Sequence, residues 1–513
     1  MTSDRSRSRR RLVTAGVLSG AVFFASGWLT AVLLDPPAAP HAALGATVVD
    51  LTPPWLKDFA VEAFGTGDKA ALFVVMGLVS IVLAAIAGVL AGRSRGAAVV
   101  AVVALAAVCA LAAGTRPDTS TISFVPALVA AAAGSATLLL LVRVARSPQV
   151  SEQGPGRRRF LSAAAGAGAL AMALAAAGSV LARARSSVMG AREHIVLPEP
   201  ARTPDEATPA LIDASQVELP GMPDYVTANE DFYRIDTALR VPQLDPDQWE
   251  LRVHGMVDHE VRIDYAELLD SGLTEAMVTL TCVSNRIGGT LVGNASWLGL
   301  PVRTLLSRAG VQAGADMVLS TSADGWTAGT PLEALTDDRN ALLAVGMNGQ
   351  PLPLEHGFPV RMVVPGLYGY VSATKWVTDL KVTTFADDEG YWTPRGWSER
   401  GPVRTASRID VPRSGASVPP GEVRLGGTAW AQQRGITRVQ VQIDDHDWQD
   451  AELVSTVSTD TWRQWTFTWP DAAPGRHEVR CRAWDDSEVQ TAEVMPPAPS
   501  GATGHHVISL VVE

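Results

Sequence analysis

Three cysteines in 513 residues give no disulfide framework. No Cys-x-x-Cys-His run occurs, so a covalently attached c-type haem is excluded. The nine histidines all lie outside the long apolar segments of the first third, and a membrane b-type haem normally needs paired imidazoles there. Basic excess is missing from most of the chain: residues 186–513 carry 25 Lys/Arg against 45 Asp/Glu. A nucleic-acid partner would require a basic face to meet phosphate, which excludes that class. Any anionic ligand must instead find a local basic pocket.

The first 185 residues have the opposite balance, 17 Lys/Arg against 8 Asp/Glu, and hold five apolar segments at roughly 12–34, 70–91, 97–114, 122–142 and 160–182. Each is close to the ~20 residues that span a bilayer as a helix. Arg5, Arg7, Arg9, Arg10 and Arg11 precede the first segment, Arg93 and Arg95 follow the second, and Arg143, Arg146, Arg157, Arg158 and Arg159 follow the fourth. The opposite connections hold only Lys57, Lys69 and Arg116. This bias predicts a cytoplasmic N-terminus in a multi-pass cell-membrane protein, with everything from residue 186 outside the cytoplasm. Arg157-Arg158-Arg159-Phe160-Leu161 before an Ala/Gly-rich stretch resembles a twin-arginine export signal. That route carries proteins already folded around a cofactor. The same residues also read as a basic stop at the cytoplasmic end of a helix. Ala182-Arg183-Ala184 is a poor cleavage site, so the outer part is expected to stay tethered.

The remainder divides by texture. Residues 186–220, with Pro198, Pro200, Pro204, Pro209 and Pro220, read as a linker. In 221–400 strands and helices interleave without a regular βαβ repeat, which predicts an α+β domain folded from near Asn229. Trp249 to Gly255 alternates as a strand, and Asp264-Tyr265-Ala266-Glu267 has the spacing of a helix start. Val278, Leu280 and Cys282 fall on one strand face, Pro301 opens a helix through Leu305 and Leu306, and Phe358 to Val364 returns to strand. Residues 401–513 are all-β: Val439/Val441/Ile443, Trp465/Phe467/Trp469, Val479/Cys481/Ala483 and Ile508/Leu510/Val512 alternate between turns, as in an immunoglobulin-like sandwich.

Cys109 lies inside the third apolar segment and Cys481 beside core valines, so both read as packing. Cys282 is left, an unpaired thiol in a part expected to be extracytoplasmic. It is either a buried strand cysteine or a functional ligand.

Phe232-Tyr233-Arg234, Leu280-Thr281-Cys282-Val283-Ser284-Asn285-Arg286 and Asn294-Ala295-Ser296-Trp297-Leu298-Gly299 are followed in order by Met347-Asn348-Gly349-Gln350-Pro351-Leu352-Pro353. His356-Gly357-Phe358-Pro359-Val360-Arg361, Val364-Pro365-Gly366 and Lys375-Trp376 complete the set. In these motifs the chain from about residue 221 to 513 resembles the sulfite oxidase family of molybdenum enzymes. The resemblance implies a molybdopterin domain followed by a sandwich through which family members dimerise. It implies molybdenum bound by Cys282, because a thiolate is a soft ligand suited to share the metal with pterin dithiolene sulfurs. His356, Arg361 and Lys375 match positions that hold the pterin and its phosphate, and Tyr233 and Arg234 fall where family members line the cofactor. The first 185 residues lie outside the resemblance.

Substrate signals are Arg286 and Trp326. Arg286, four residues past Cys282, either brings a guanidinium to an oxyanion near the metal or pairs with a local carboxylate. Trp326 stands in Asp324-Gly325-Trp326-Thr327-Ala328-Gly329, where the eukaryotic relatives are expected to carry a tyrosine; an indole cannot accept a hydrogen bond. It is otherwise a packing aromatic. The expected function is a membrane-tethered oxidoreductase that transfers an oxygen atom at molybdenum to a small oxyanion and passes electrons to an external c-type cytochrome or quinone-linked protein. The alternatives are an S- or N-oxide reductase of the methionine sulfoxide reductase type and, among non-enzymes, a β-sandwich receptor or adhesion protein.

Overall fold

The computed structural model describes residues 2–53, 56, 59, 63, 68–116, 121–146, 155–185, 188–203, 209–238 and 241–513. These form two units: residues 1–187 with 237–241, and residues 188–236 with 242–513.

The first unit is helical. Among the described residues five helices are long and apolar enough to cross a membrane, at Arg9–Leu34, Lys69–Ala91, Arg95–Gly114, Val125–Ala145 and Arg158–Ala182. Small side chains let them pack closely: Ala15, Ala91 and Ala98 are buried against Leu138, Leu141 and Val142. Val74, Val75, Leu78, Ile81 and Ile86 of the second of these helices remain exposed, an apolar face suited to lipid. A further helix, Pro40–Leu51, follows the first and was not foreseen. Arg157, Arg158 and Arg159 lie in the first turns of helix Pro155–Arg185, whereas Lys57 falls outside the described residues.

The second unit begins with the expected linker, which is packed rather than free. Helix Val188–His194 sends Arg192 Nε and Nη2 to the carbonyls of Leu352 and Pro351, both at 2.8 Å. Arg202 forms a bridge to Thr274, and Val217 donates its N–H to Gln464 Oε1 at 2.7 Å. Proline removes ladder donors but does not prevent an extended segment from lying along a domain. Residues 186–187 and 204–208, Pro204 among them, are outside the described residues.

Next come β1 (Glu250–Gly255), β2 (Val261–Asp264), β3 (Thr274–Thr281), β4 (Val292–Pro301), β5 (Met317–Ser322) and β6 (Thr327–Pro331). They are followed by β7 (Leu342–Met347), β8 (Gln350–Pro351), β9 (Arg361–Val363) and β10 (Val377–Thr383). One sheet has the order β2-β1-β10-β5-β6; the other runs β3-β4-β7-β8 with β9 on β7. Only β1 and β10 pair in parallel within these two sheets. Helix Val302–Ala309 turns Val302, Leu305, Leu306 and Ala309 inward, where they meet Leu251, Val253, Val318, Leu343 and Leu380 in a shared core. Pro301 stands at its N-cap, as its fixed φ favours.

From Ala406 the chain is a two-sheet sandwich, β11-β13-β17-β16 against β12-β19-β18-β14-β15, with β11 at Ala406–Val411, β12 at Ser417–Val418, β13 at Gly421–Trp430 and β14 at Arg438–Ile443. The strands β15 (Gln449–Asp450), β16 (Glu452–Leu453), β17 (Arg463–Ala472), β18 (Gly475–Trp484) and β19 (His506–Val512) complete it. Alternation placed its core correctly: Val439, Val441, Ile443, Trp465, Phe467, Val479, Cys481, Ala483, Ile508 and Leu510 are buried together.

The start of helix Tyr265–Asp270 is set by Asp264, whose Oδ1 accepts the Glu267 N–H at 2.8 Å. Asp264→Ala should lower the stability of the second unit by about 1 kcal/mol. The shift in its denaturation midpoint measures this, and an unchanged midpoint removes the cap from the account.

Candidate active site

Cys282 is the first residue after β3, and the loop behind it is built from its own motif. The Cys282 N–H donates to Leu291 O at 3.0 Å, the Asn285 N–H returns to Cys282 O at 3.0 Å, and Asn285 Oδ1 accepts the Leu291 N–H at 2.9 Å. A Cβ at Gly289 would stand 2.5 Å from that same Oδ1, so the tight loop requires glycine. The thiol is buried, and burial pushes its pKa up. The Ser284 backbone and hydroxyl, together with the charge on Lys375, act in the opposite direction.

Around it stand residues from distant parts of the chain. Phe232 stacks on Tyr233 with centroids 5.2 Å apart and meets the edges of Trp297 at 5.7 Å and His356 at 5.6 Å. Arg361, at the start of β9, lies over Trp297 with its guanidinium carbon 5.0 Å from the ring centroid. Its nitrogens reach the carbonyls of His356 at 3.1 Å, Met362 at 3.3 Å and Ala373 at 3.5 Å. Lys375 Nζ bonds to Glu355 O at 2.9 Å and pairs with Asp236 at 3.1 Å. Arg234 Nε pairs with the same Asp236 oxygen at 3.3 Å.

Two cations, Lys375 and Arg234, therefore share the Asp236 carboxylate, Arg361 beside them bonds only to carbonyls, and Arg361 and Lys375 are both buried. Desolvation pushes Lys375 down to about 8, helped by Arg361 and Arg234 and opposed by Asp236. It pushes Arg361 down to about 10. The buried imidazole of His356 is pushed down to about 3 by desolvation and then by Lys375 and Arg361, so it is neutral. Its Nε2 lies 3.0 Å from Asn229 O, which makes that nitrogen the donor and leaves Nδ1 a lone-pair acceptor; Nδ1 is buried and, among the described residues, without a partner. Buried cations short of counter-charge, and a buried acceptor short of a donor, fit an anionic group that also carries N–H or O–H donors. Tyr233 is held neutral by burial, and the charge on Cys282 adds to that.

Of the residues expected from sequence, Cys282, Tyr233, His356, Arg361 and Lys375 are thus brought together, with Arg234 at the margin on Asp236. Arg286 is exposed on the loop after Cys282 and lines a cleft with Thr281, Asn285 and Tyr368. Trp326 sits in the β5–β6 turn, where its N–H bonds to Asp324 Oδ1 at 3.3 Å and its carbonyl accepts from Ser322 at 2.8 Å. Among the described residues it makes no hydrogen bond or ring contact with the Cys282 cluster. Sequence reasoning missed Asp236 and Tyr368. Asp236 is two residues past Arg234, and an acid so placed beside a basic motif was the available signal.

In the cofactor-free protein Lys375 predicts a pH dependence with a definite sign. Between about 8 and the ordinary lysine value of ~10.4 the unfolded chain holds a proton that the fold rejects, so stability rises with pH across that window. Lys375→Met should flatten the rise. Denaturation midpoints at both ends of the window test it, and an equal rise in the variant assigns the effect elsewhere.

A family model described as an oxidoreductase molybdopterin binding domain matches residues 238–392, and one for a bacterial Ig domain matches residues 406–481. Sulfite oxidase of Gallus gallus is 30% identical over 323 residues, covering 53% of this chain and 69% of that protein. Mitochondrial sulfite oxidase of Homo sapiens is 31% identical over 325 residues, with 53% and 58% covered. The oxidoreductase YuiH of Bacillus subtilis is 33% identical over 157 residues, covering 31% of this chain and 76% of its own. The chain therefore spans 58 to 69% of the two sulfite oxidases and leaves the rest of them unmatched. With a molybdopterin-binding domain in its match and a buried cationic cluster beside Cys282, the chain belongs to the sulfite oxidase family of molybdopterin oxidoreductases.

Proposed function

We propose that the protein is a membrane-tethered, sulfite-oxidase-like enzyme that oxidises a small oxyanion outside the cytoplasm and hands its electrons to a separate carrier. The observation that carries this reading is the buried thiol of Cys282 at the end of β3, beside a cluster whose cations outnumber its carboxylate. Residues 221–400 serve as the cofactor domain and 401–513 as its immunoglobulin-like companion, with the second available for pairing between copies. The apolar helices of the first unit are the anchor, and their Arg-rich flanks favour a cytoplasmic N-terminus.

In this reading Cys282 is the single protein ligand to molybdenum, and Lys375, Arg361 and the His356 Nδ1 hold the pterin and its phosphate. The bound group supplies oxygen-atom transfer and two-electron redox chemistry. The chain supplies the rest. Ser284 and Lys375 favour the thiolate of Cys282 against burial. Arg361 is fixed over Trp297 by three carbonyls, so its charge cannot swing away to solvent. Tyr233 stays protonated and can donate toward the site. Arg286 draws the oxyanion to the loop. No haem motif occurs in the chain, so a c-type cytochrome or a quinone-linked protein takes the electrons onward.

Cys282→Ser tests the reading. Protein from a cofactor-competent host should hold molybdenum and oxidise sulfite with an artificial acceptor. The variant should lose activity by at least a hundredfold, because serine is a hard ligand in place of a soft one. A wild-type protein without molybdenum, or a variant with unchanged metal and rate, would sink it. Turnover confined to S- or N-oxides with an artificial donor would transfer the protein to the reductases.

A further inference from the structure

Arg286 does not line its cleft alone. Ser407 and Gln490 of the sandwich line it too, together with Thr281, Asn285 and Tyr368. Tyr368 is buried, 4% exposed. Its main chain is tied down by donation from its N–H to Gly401 O at 2.8 Å, and its hydroxyl accepts the Arg404 N–H at 3.2 Å. That contact uses a lone pair and leaves the phenolic proton unassigned. Among the described residues no acceptor for that proton is found. A buried hydroxyl with an unused proton is costly unless something accepts it.

Two further facts bear on Tyr368. The next residue, Gly369, faces the end of β3: a Cβ there would lie 3.9 Å from Thr281 O and 3.9 Å from the Tyr233 hydroxyl. Burial also holds the Tyr368 hydroxyl above its ordinary pKa, against the opposing pull of Arg404. It therefore stays a donor throughout the working pH range. A fixed neutral donor and a guanidinium on one cleft suit an anionic oxygen, the donor supplying direction and the guanidinium supplying charge.

We propose that Tyr368 is a substrate-binding residue that donates its hydroxyl proton to an oxygen of the oxyanion held in the cleft with Arg286. This rests on the sulfite-oxidase-like reading and extends it by naming the directional contact. It also makes the sandwich part of the substrate site, because Arg404, which occupies the hydroxyl's lone pair, leads into β11.

Binding of sulfate, an unreactive oxyanion, to the molybdenum-loaded full chain in detergent tests this by calorimetry. Tyr368→Phe should weaken sulfate binding about tenfold and raise KM for sulfite by a similar factor, with molybdenum content unchanged and only the small fall in unfolding temperature expected from the lost Arg404 contact. A purely structural tyrosine would leave the sulfate affinity of the folded fraction alone whatever the unfolding temperature does, and that result overturns the proposal. Should the phenylalanine variant not fold, Gly501→Ala perturbs the hydroxyl without removing it, since its Cβ would lie 2.3 Å from the Tyr368 oxygen. The same loss of sulfate affinity is expected there, and its absence counts against Tyr368. A wild-type protein that holds molybdenum yet binds no sulfate overturns the oxyanion site itself, and with it this contact. A wild-type protein without molybdenum instead refutes the underlying reading, so the two failures are distinguishable.

Discussion

The edge of β3 is the constraint on which the site depends. β3 ends its sheet, with β4 on one side only, so its other side offers unpaired backbone groups. The sandwich closes it. The Thr279 N–H donates to Asp460 O at 2.9 Å, Thr279 O accepts Gln432 Nε2 at 2.8 Å, and Thr279 Oγ1 accepts the Trp462 N–H at 2.7 Å. Gln432 also reaches Thr281 Oγ1 at 3.2 Å, one residue before Cys282. Thr279 and Gln432 are both buried, and each such bond left unmade would cost about 1–3 kcal/mol. The thiol is thus positioned by the second domain as much as by the first, which explains why a β-sandwich accompanies the cofactor domain in one compact unit.

Charge is organised on a similar principle of local exception. The chain beyond residue 186 is strongly acidic, yet Arg361, Lys375 and Arg234 converge beside Cys282 with Asp236 between two of them. Burial weakens the cations rather than strengthening them, and Lys375 is pushed down to about 8. An anion entering the cluster would restore them, because an opposite charge in a poorly screened place favours the charged form. The acidic exterior and the basic interior are therefore compatible, and net charge describes only the former.

Much of this was legible in the sequence, for reasons that differ by element. Hydropathy located the five long helices because apolar length is a one-dimensional property. Period-two alternation found the core of the sandwich, and Asp264 with Glu267 marked a helix start, because both signals are local. The packed course of residues 188–203 and 209–220 was not legible. Proline content reports what a segment cannot form, whereas the Arg192 and Val217 contacts depend on residues far along the chain. Tyr368 was missed for the same reason: its hydroxyl partner is 36 residues away. Trp326 was singled out by its place in a motif, yet its turn keeps it among its own neighbours.

The run from Thr281 to Arg286 shows how a motif divides between building and chemistry. Thr281 takes a bond from the sandwich, Asn285 closes the loop on Leu291, and Ser284 faces the sulfur. Each of these side chains has a structural duty that fixes its identity irrespective of substrate. Arg286 is the one long charged side chain of the run, and it is exposed. An exposed guanidinium adds less to stability than a buried hydrogen-bonded side chain. The positions that hold Cys282 in place and the position that meets the cleft are consequently separable. In such a scaffold the placement of Cys282 is set by Thr281, Ser284 and Asn285, whereas Arg286 can vary with the cleft it lines.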